Sequence, residues 1–136
     1  MHINYGLHDL EGDNSTEHVD IAVYAANVVT LYQRWAARAT SVIWASTTPV
    51  PNVTTSYGRT AQLAIDYNAA ALAALTTAVG PTLLVDDLWA AVIAKCGAFY
   101  KSCPGIQLPA NVHFAPGGQE LLGEHAAASV LAALGM

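Results

Sequence analysis

Charge is scarce in this chain: 11% of its 136 residues are charged, and five of them are Lys or Arg. No basic run could follow a phosphate backbone, and ten Asp plus Glu bring the formal net charge to -5, so no nucleic-acid partner is expected. Cysteine is nearly absent, with Cys96 and Cys103 alone. Two thiols do not complete a zinc site and their spacing is not that of a CxxC knuckle, which leaves one disulfide possible without implying it. Apolar stretches are interrupted by Asn, Arg, Asp or Gly before they reach about 18 residues, so no membrane-spanning segment is expected. The opening MHINYG lacks the basic region, apolar core and cleavage site of a secretion signal, and the compartment stays undetermined. The sequons at Asn14 and Asn52 are short enough to arise by chance.

Apolar side chains are abundant instead, at 54% of the sequence, which predicts one domain over residues 1–136 with a core of its own. His2 to Tyr5 alternates and stops at Gly6, predicting a short strand. After an acidic loop from Leu7 to Glu17, the spacing of Ile21, Tyr24, Ala25, Val28, Tyr32 and Trp35 predicts an amphipathic helix. Ser15 or Thr16 would cap it, acids would fill its first turn, and Arg34 and Arg38 would close it. Ser41 to Ala45 reads as a strand buried on both faces. The loop from Ser46 to Arg59 is long enough to suggest function or mobility. A second helix over about Thr60 to Val79 would bury Ile65, Asn68, Leu72, Leu75 and Val79. Thr82 to Val85 reads as a third strand, Asp86 or Asp87 as the cap of a short helix from Leu88 to Cys96, and Gly97 to Phe114 as irregular. Pro116 opens a last helix with Leu121, Leu122, Ala126, Val130 and Leu134 as its buried stripe. Asn68 and Trp44 are read as packed side chains with satisfied polar tips.

This alternation predicts the α/β class, with a small three-layer parallel sheet and flanking helices. Three strands are few for a parallel sheet, whose faces and edges are normally covered, so the fold reads as incomplete.

The segments INYGLHDL, VIWASTTPVP, DYNAAALAAL, VDDLWAAV and NVHFAPGGQELLGEHAAASVLAAL resemble, in order and spacing, the SGNH or GDSL-like hydrolase superfamily. The resemblance covers most of the chain, and its last segment is the most specific. It implies an incomplete flavodoxin-like sheet with an active site at the carboxyl ends of the strands. It also implies hydrolysis of a small-molecule carboxylic or carbohydrate ester, with no cofactor and no metal. The family's GDS serine and the oxyanion glycine of its following block have no counterpart here. In its GxND block this chain reads Gly6, Leu7, His8, Asp9, which puts an imidazole where a carboxamide donates. His113 matches the family's catalytic histidine, while Ala110 stands where its Asp is expected, leaving Asn111 or an upstream carbonyl to orient the ring. Losing an orienting carboxylate costs a serine protease about 10⁴ in rate. Without the serine, the attacking group would be water with His113 as base, or a substitute hydroxyl or thiol, with Ser46 the first candidate beside Thr47, Thr48, Cys96 and Cys103. Gly6, His8, Asp9 and Asn111 are the expected oxyanion or pocket residues.

Plainer readings stand beside these. His113, between Val112 and Phe114, also fits a buried histidine bonded to backbone; His8 and Asp9 fit a polar turn; Ser46 to Thr48 fit loop hydroxyls. His2, His8 and His18 lack the HxH or HxxxH spacing of a metal site, and the nearby acids fit a solvated loop. Ala115, where the resembled HFTP has Thr, forfeits a helix cap worth about 1 kcal/mol. Two functions follow, an ester hydrolase built around His113 or a non-catalytic binding or assembly module. In either case the resembled fold has further strands beside His2 to Tyr5, so an uncovered edge and a homo-oligomer, most simply a two-fold dimer, are expected.

Overall fold

The computed structural model describes residues 1–12, 15–53 and 56–136. Asp13 of the acidic loop, and Asn14 and Thr54 of the two sequons, lie outside the described residues. Three short strands, β1 (His2–Asn4), β2 (Ile43–Ala45) and β3 (Leu84–Asp86), form a parallel sheet in that order, with His2, Ile43 and Leu84 in register. Among the described residues four α-helices flank it: α1 (Ile21–Ala36), α2 (Ala61–Val79), α3 (Leu88–Cys96) and α4 (Pro116–Ala133). The chain has the expected α/β class.

The register puts Ile3, Trp44 and Val85 on one face and His2, Ile43, Leu84 and Asp86 on the other. Helices α1 and α2 pack on each other and on the first face, where Ile3 and Trp44 meet Tyr24, Val28, Tyr32, Tyr67 and Leu75 in the core. On the second face α4 lies against β2 and β3, with α3 packed on α4.

Tyr24, Val28 and Tyr32, one turn apart, are the buried face of α1 as the spacing predicts. Its cap is not Ser15 or Thr16 but Asp20, whose carboxylate accepts from the Ala22 N–H at 2.9 Å, and its first turn holds no acid. The Ser15 hydroxyl is engaged upstream, on Glu11. Thr60 caps α2 through the Leu63 N–H, and of the expected stripe Leu75 is fully buried while the other inward residues differ. Ala61, Ala64, Tyr67, Ala71 and Leu75 face inward, while Leu72 is 41% exposed and Ile65 and Val79 are half-buried. Small residues let α2 approach α1 closely, and the Tyr24 and Tyr67 rings, 5.0 Å apart, fill the remaining space. The outer face left behind is mixed, with Gln62, Asp66, Thr76 and Thr77 exposed beside Ala69, Leu72 and Ala73. By length and composition Ala61–Thr82, with mean hydropathy 1.3, could cross a membrane, contrary to the sequence expectation; here it packs on α1.

Asp87, not Asp86, caps α3, accepting from the Ala90 N–H at 3.0 Å. Cys96 at its end is disulfide-bonded to Cys103. Pro116 opens α4 as expected, and the Ala115 cap makes no side-chain bond. The α4 stripe, however, is shallow: Leu121, Leu122, Ala126 and Val130 are half-buried and Leu134, past the helix end, is 64% exposed. Its deepest contact is Gly118, pressed on Ile106 and Phe114. Its second anchor is polar, because Asp86 receives His125 Nδ1 at 2.6 Å from α4 and His2 Nε2 at 2.7 Å from β1. Burial pushes the Asp86 carboxyl up, but hydrogen bonds from His2, His125 and Ser129, with the charge of His125, outweigh it and hold the group below its ordinary value.

Candidate functional site

The chain leaves β1 through Gly6, whose φ of 126° favours glycine. A Cβ there would collide with the Thr47 hydroxyl and lie 2.6 Å from the Tyr24 hydroxyl. Both hydroxyls donate to the Tyr5 carbonyl, at 2.6 and 3.1 Å, and so fix the direction in which the turn from Leu7 to Glu11 departs. The loop after β2 is not free along its first half: Ser46, Thr47, Val50 and Pro51 are buried. Its far end closes on the first turn. Gly12 N–H donates to the Tyr57 carbonyl at 2.8 Å, and Arg59 Nε donates to the Leu7 carbonyl at 2.7 Å.

A third loop completes the enclosure. Gln107, buried, accepts from the Tyr100 hydroxyl and donates to the carbonyls of Pro49, at 3.3 Å, and Val112, at 3.1 Å. Gln107 also bridges to Phe114, and Leu108 N–H donates to the His113 carbonyl, which sets His113 on the returning arm of a short turn whose tip holds Ala110, at φ 49°. Beyond the carboxyl ends of β1 and β2, these loops surround a cavity of about 270 Å³ lined by His8, Glu11, Ser15, Tyr57, Arg59 and His113, among others.

His113 is exposed, not the buried histidine of the plainer reading. Its Nδ1 lies 2.6 Å from Asn111 Oδ1, and the same oxygen accepts the His113 backbone N–H at 3.0 Å. A backbone N–H can only donate, so the Asn111 atom is the oxygen, and the ring nitrogen facing it must carry the proton. In the neutral ring the lone pair is therefore on Nε2.

His8 shares the cavity, with Nδ1 2.7 Å from Glu17 Oε2 and 3.5 Å from Glu11 Oε1. That proton belongs to the carboxylates, so the neutral ring has no N–H left on Nε2. Donation to an oxyanion would need the imidazolium. Glu11 is no solvated loop acid: it is 3% exposed, paired with Arg59, itself 5% exposed, and it accepts from the Ser15 hydroxyl. The donor atoms of His8, Glu11 and Glu17 lie within 4.8 Å of one another, and the Arg59 guanidinium on Glu11 supplies the positive charge among them.

The other expected residues lie elsewhere. Asp9 lines a separate groove of about 330 Å³ with Tyr5, Asn27 and Arg34, on the side of α1. Ser46 lines a third cavity, and its hydroxyl donates to Asp87 at 2.9 Å and accepts the Trp89 N–H at 2.9 Å, which makes it part of the α3 cap rather than a free nucleophile beside His113. Gly6 is buried in its turn and does not line the His113 cavity. Sequence reasoning missed Glu11, Ser15 and Arg59. Arg59, the lone cation between the Pro-rich loop and an apolar helix, was the available signal. Comparison of the chain with protein families, with curated proteins and with solved structures gave no match.

Proposed function

We propose that the chain hydrolyses a small-molecule ester of the SGNH type with His113 as general base and Asn111 orienting it. The observation carrying this reading is the Asn111–His113 pair, which leaves the basic lone pair on Nε2 at a cavity of about 270 Å³. His113 Nε2 takes a proton from water as the water oxygen attacks the acyl carbon, and the imidazolium returns that proton to the departing alkoxide. The developing oxyanion falls in a cavity that also holds the Arg59 guanidinium. Substrate is limited to an ester small enough for that space.

Hydrolysis of p-nitrophenyl acetate by the purified chain tests this. His113→Ala should lower the protein-dependent rate about 10²- to 10⁴-fold, and Asn111→Ala should lower it by a smaller factor. A rate unchanged in His113→Ala would overturn the assignment. A second reading, a non-catalytic binding or assembly module, is favoured by Ser46 being engaged with Asp87 and Trp89 and by Ala110 in place of a carboxylate. In both readings a two-fold dimer would form along β1, an edge strand of the sheet flanked by Met1 and Tyr5, 50% and 39% exposed. Light scattering over a dilution series would refute the dimer by showing a monomer at micromolar concentration.

A further inference from the structure

The Cys96–Cys103 bond closes the loop that leads from the end of α3 toward the His113 turn. Inside that loop Phe99 holds a φ of 52°, a left-handed conformation that a residue with a Cβ rarely adopts. Its side chain is 48% exposed, so packing does not keep it there, and the covalent closure of the loop does. Tyr100, the next residue, turns inward and is 7% exposed.

From this loop an unbroken run of hydrogen bonds reaches His113. The Tyr100 hydroxyl donates to Gln107, and the Tyr100 carbonyl accepts the Asn52 N–H at 2.7 Å. The Cys103 carbonyl accepts two N–H groups, from Ile106 at 3.1 Å and Gln107 at 2.9 Å. Gln107 in turn holds the Pro49 and Val112 carbonyls, and Leu108 N–H meets the His113 carbonyl at 3.0 Å. Both cysteines are half-buried and open to a small thiol, and the chain's two lysines, Lys95 and Lys101, stand exposed beside them in sequence. A neighbouring ammonium favours a thiolate, which is the leaving group when the bond is cut. The core cluster draws no residue from 96–103, so cutting the bond frees the loop and leaves the core in place.

We propose that the Cys96–Cys103 disulfide is a redox switch on the His113 cavity, set by oxidation and released by a small thiol reductant. A reductant thiolate attacks one sulfur, and the other sulfur leaves as a thiolate and takes up a proton. A second reductant thiol resolves the mixed disulfide, giving two protein thiols and one reductant disulfide, with two electrons passed to the protein. Phe99 then returns to ordinary backbone geometry, Tyr100 draws away from Gln107, and the turn carrying His113 loosens. The structural release stands by itself, whereas its effect on ester hydrolysis rests on the hydrolase reading.

The test compares nuclear magnetic resonance spectra of the labelled chain before and after millimolar reduced glutathione. Reduction should abolish the nuclear Overhauser contact between the Tyr100 ring and the Gln107 side chain and displace the Leu108 and His113 amide resonances, while Val28 in the core of α1 stays in place. Oxidised glutathione should restore the first spectrum. Tyr100→Phe, with the disulfide intact, should displace the same Leu108 and His113 resonances, because it removes the hydroxyl that Gln107 accepts from. Thiols themselves attack p-nitrophenyl acetate, so the rate is read in Cys96→Ser/Cys103→Ser without reductant, where it should fall about 10- to 100-fold as His113 is misplaced. A bond that glutathione leaves intact, or a Tyr100–Gln107 contact that survives reduction, would overturn the proposal. So would movement of Val28 together with the rest, since that is unfolding and not local release. Loss of the contact with hydrolysis unaffected would sustain the switch and tell against the hydrolase reading.

Discussion

The same substitution, Gly to Ala, should have opposite signs at two positions of α4. At Gly123 an added Cβ meets nothing within 4 Å, so Ala there gains helix propensity alone, about 1 kcal/mol. At Gly118 the added Cβ would lie 2.8 Å from Phe114 Cδ1 and 2.9 Å from the Ile106 carbonyl carbon, and closer still to the Ile106 oxygen. The Phe114 ring can turn aside. The Ile106 oxygen cannot, because it accepts the Ala115 N–H at 2.9 Å and so belongs to the seam that seats the helix. Overpacking costs about 1–3 kcal/mol and the strained hydrogen bond about 1 more, against a propensity gain of about 1, for a net loss of about 1–3 kcal/mol. At about 4 °C per kcal/mol for a domain of this size, Gly123→Ala should melt about 4 °C higher and Gly118→Ala about 4–12 °C lower by thermal circular dichroism. Shifts of the same sign would show that α4 is not seated on the Ile106–Phe114 turn. The placement of His113, which that turn carries, would then be wrong as well.

Other outcomes are open to measurement. Reducing the Cys96–Cys103 bond, which closes a short loop of separation seven, should lower unfolding free energy by about 2.5 kcal/mol, read as the urea midpoint with and without dithiothreitol; a midpoint unmoved by reductant would refute a formed disulfide. Ala115→Thr should supply the missing cap of α4 and add about 1 kcal/mol in the same assay, with no gain counting against the helix start at Pro116. The Asp86 carboxyl is held below its unfolded value, so its stabilisation is present above about pH 4 and is lost as pH falls through the folded value; Asp86→Asn should flatten the acid limb of the stability curve, and an unaltered limb would show that the two histidines do not hold it. Burial pushes the Tyr24 and Tyr100 phenols up to about 12, so their contribution is complete below about pH 10 and is lost between there and about pH 12; Tyr24→Phe should extend the alkaline plateau, which unfolding at pH 9–12 would reveal.

The sequence by itself determined the secondary elements and their order, because those depend on neighbours a few residues apart. The four-residue spacing of Tyr24, Val28 and Tyr32, an Asp cap before Leu88, and Pro116 at the first turn of α4 all act locally. The β–α alternation then specified a parallel sheet. Which face of α2 turns inward was not legible. Size favoured Ile65 and Leu72, yet close approach to α1 selects alanines, a choice visible only when both helices are in place. The Asn111–His113 pair is local and could be anticipated as an alternative, whereas Glu11 and Arg59, 48 residues apart, become an ion pair only once two loops close on each other. Tertiary structure also removed Ser46 from the His113 cavity, because the cap of α3 competes for its hydroxyl. It left the buried Trp44 Nε1 without a hydrogen-bond partner among the described residues too. Pairings across long sequence separations depend on where the chain returns in space, and no periodicity records that.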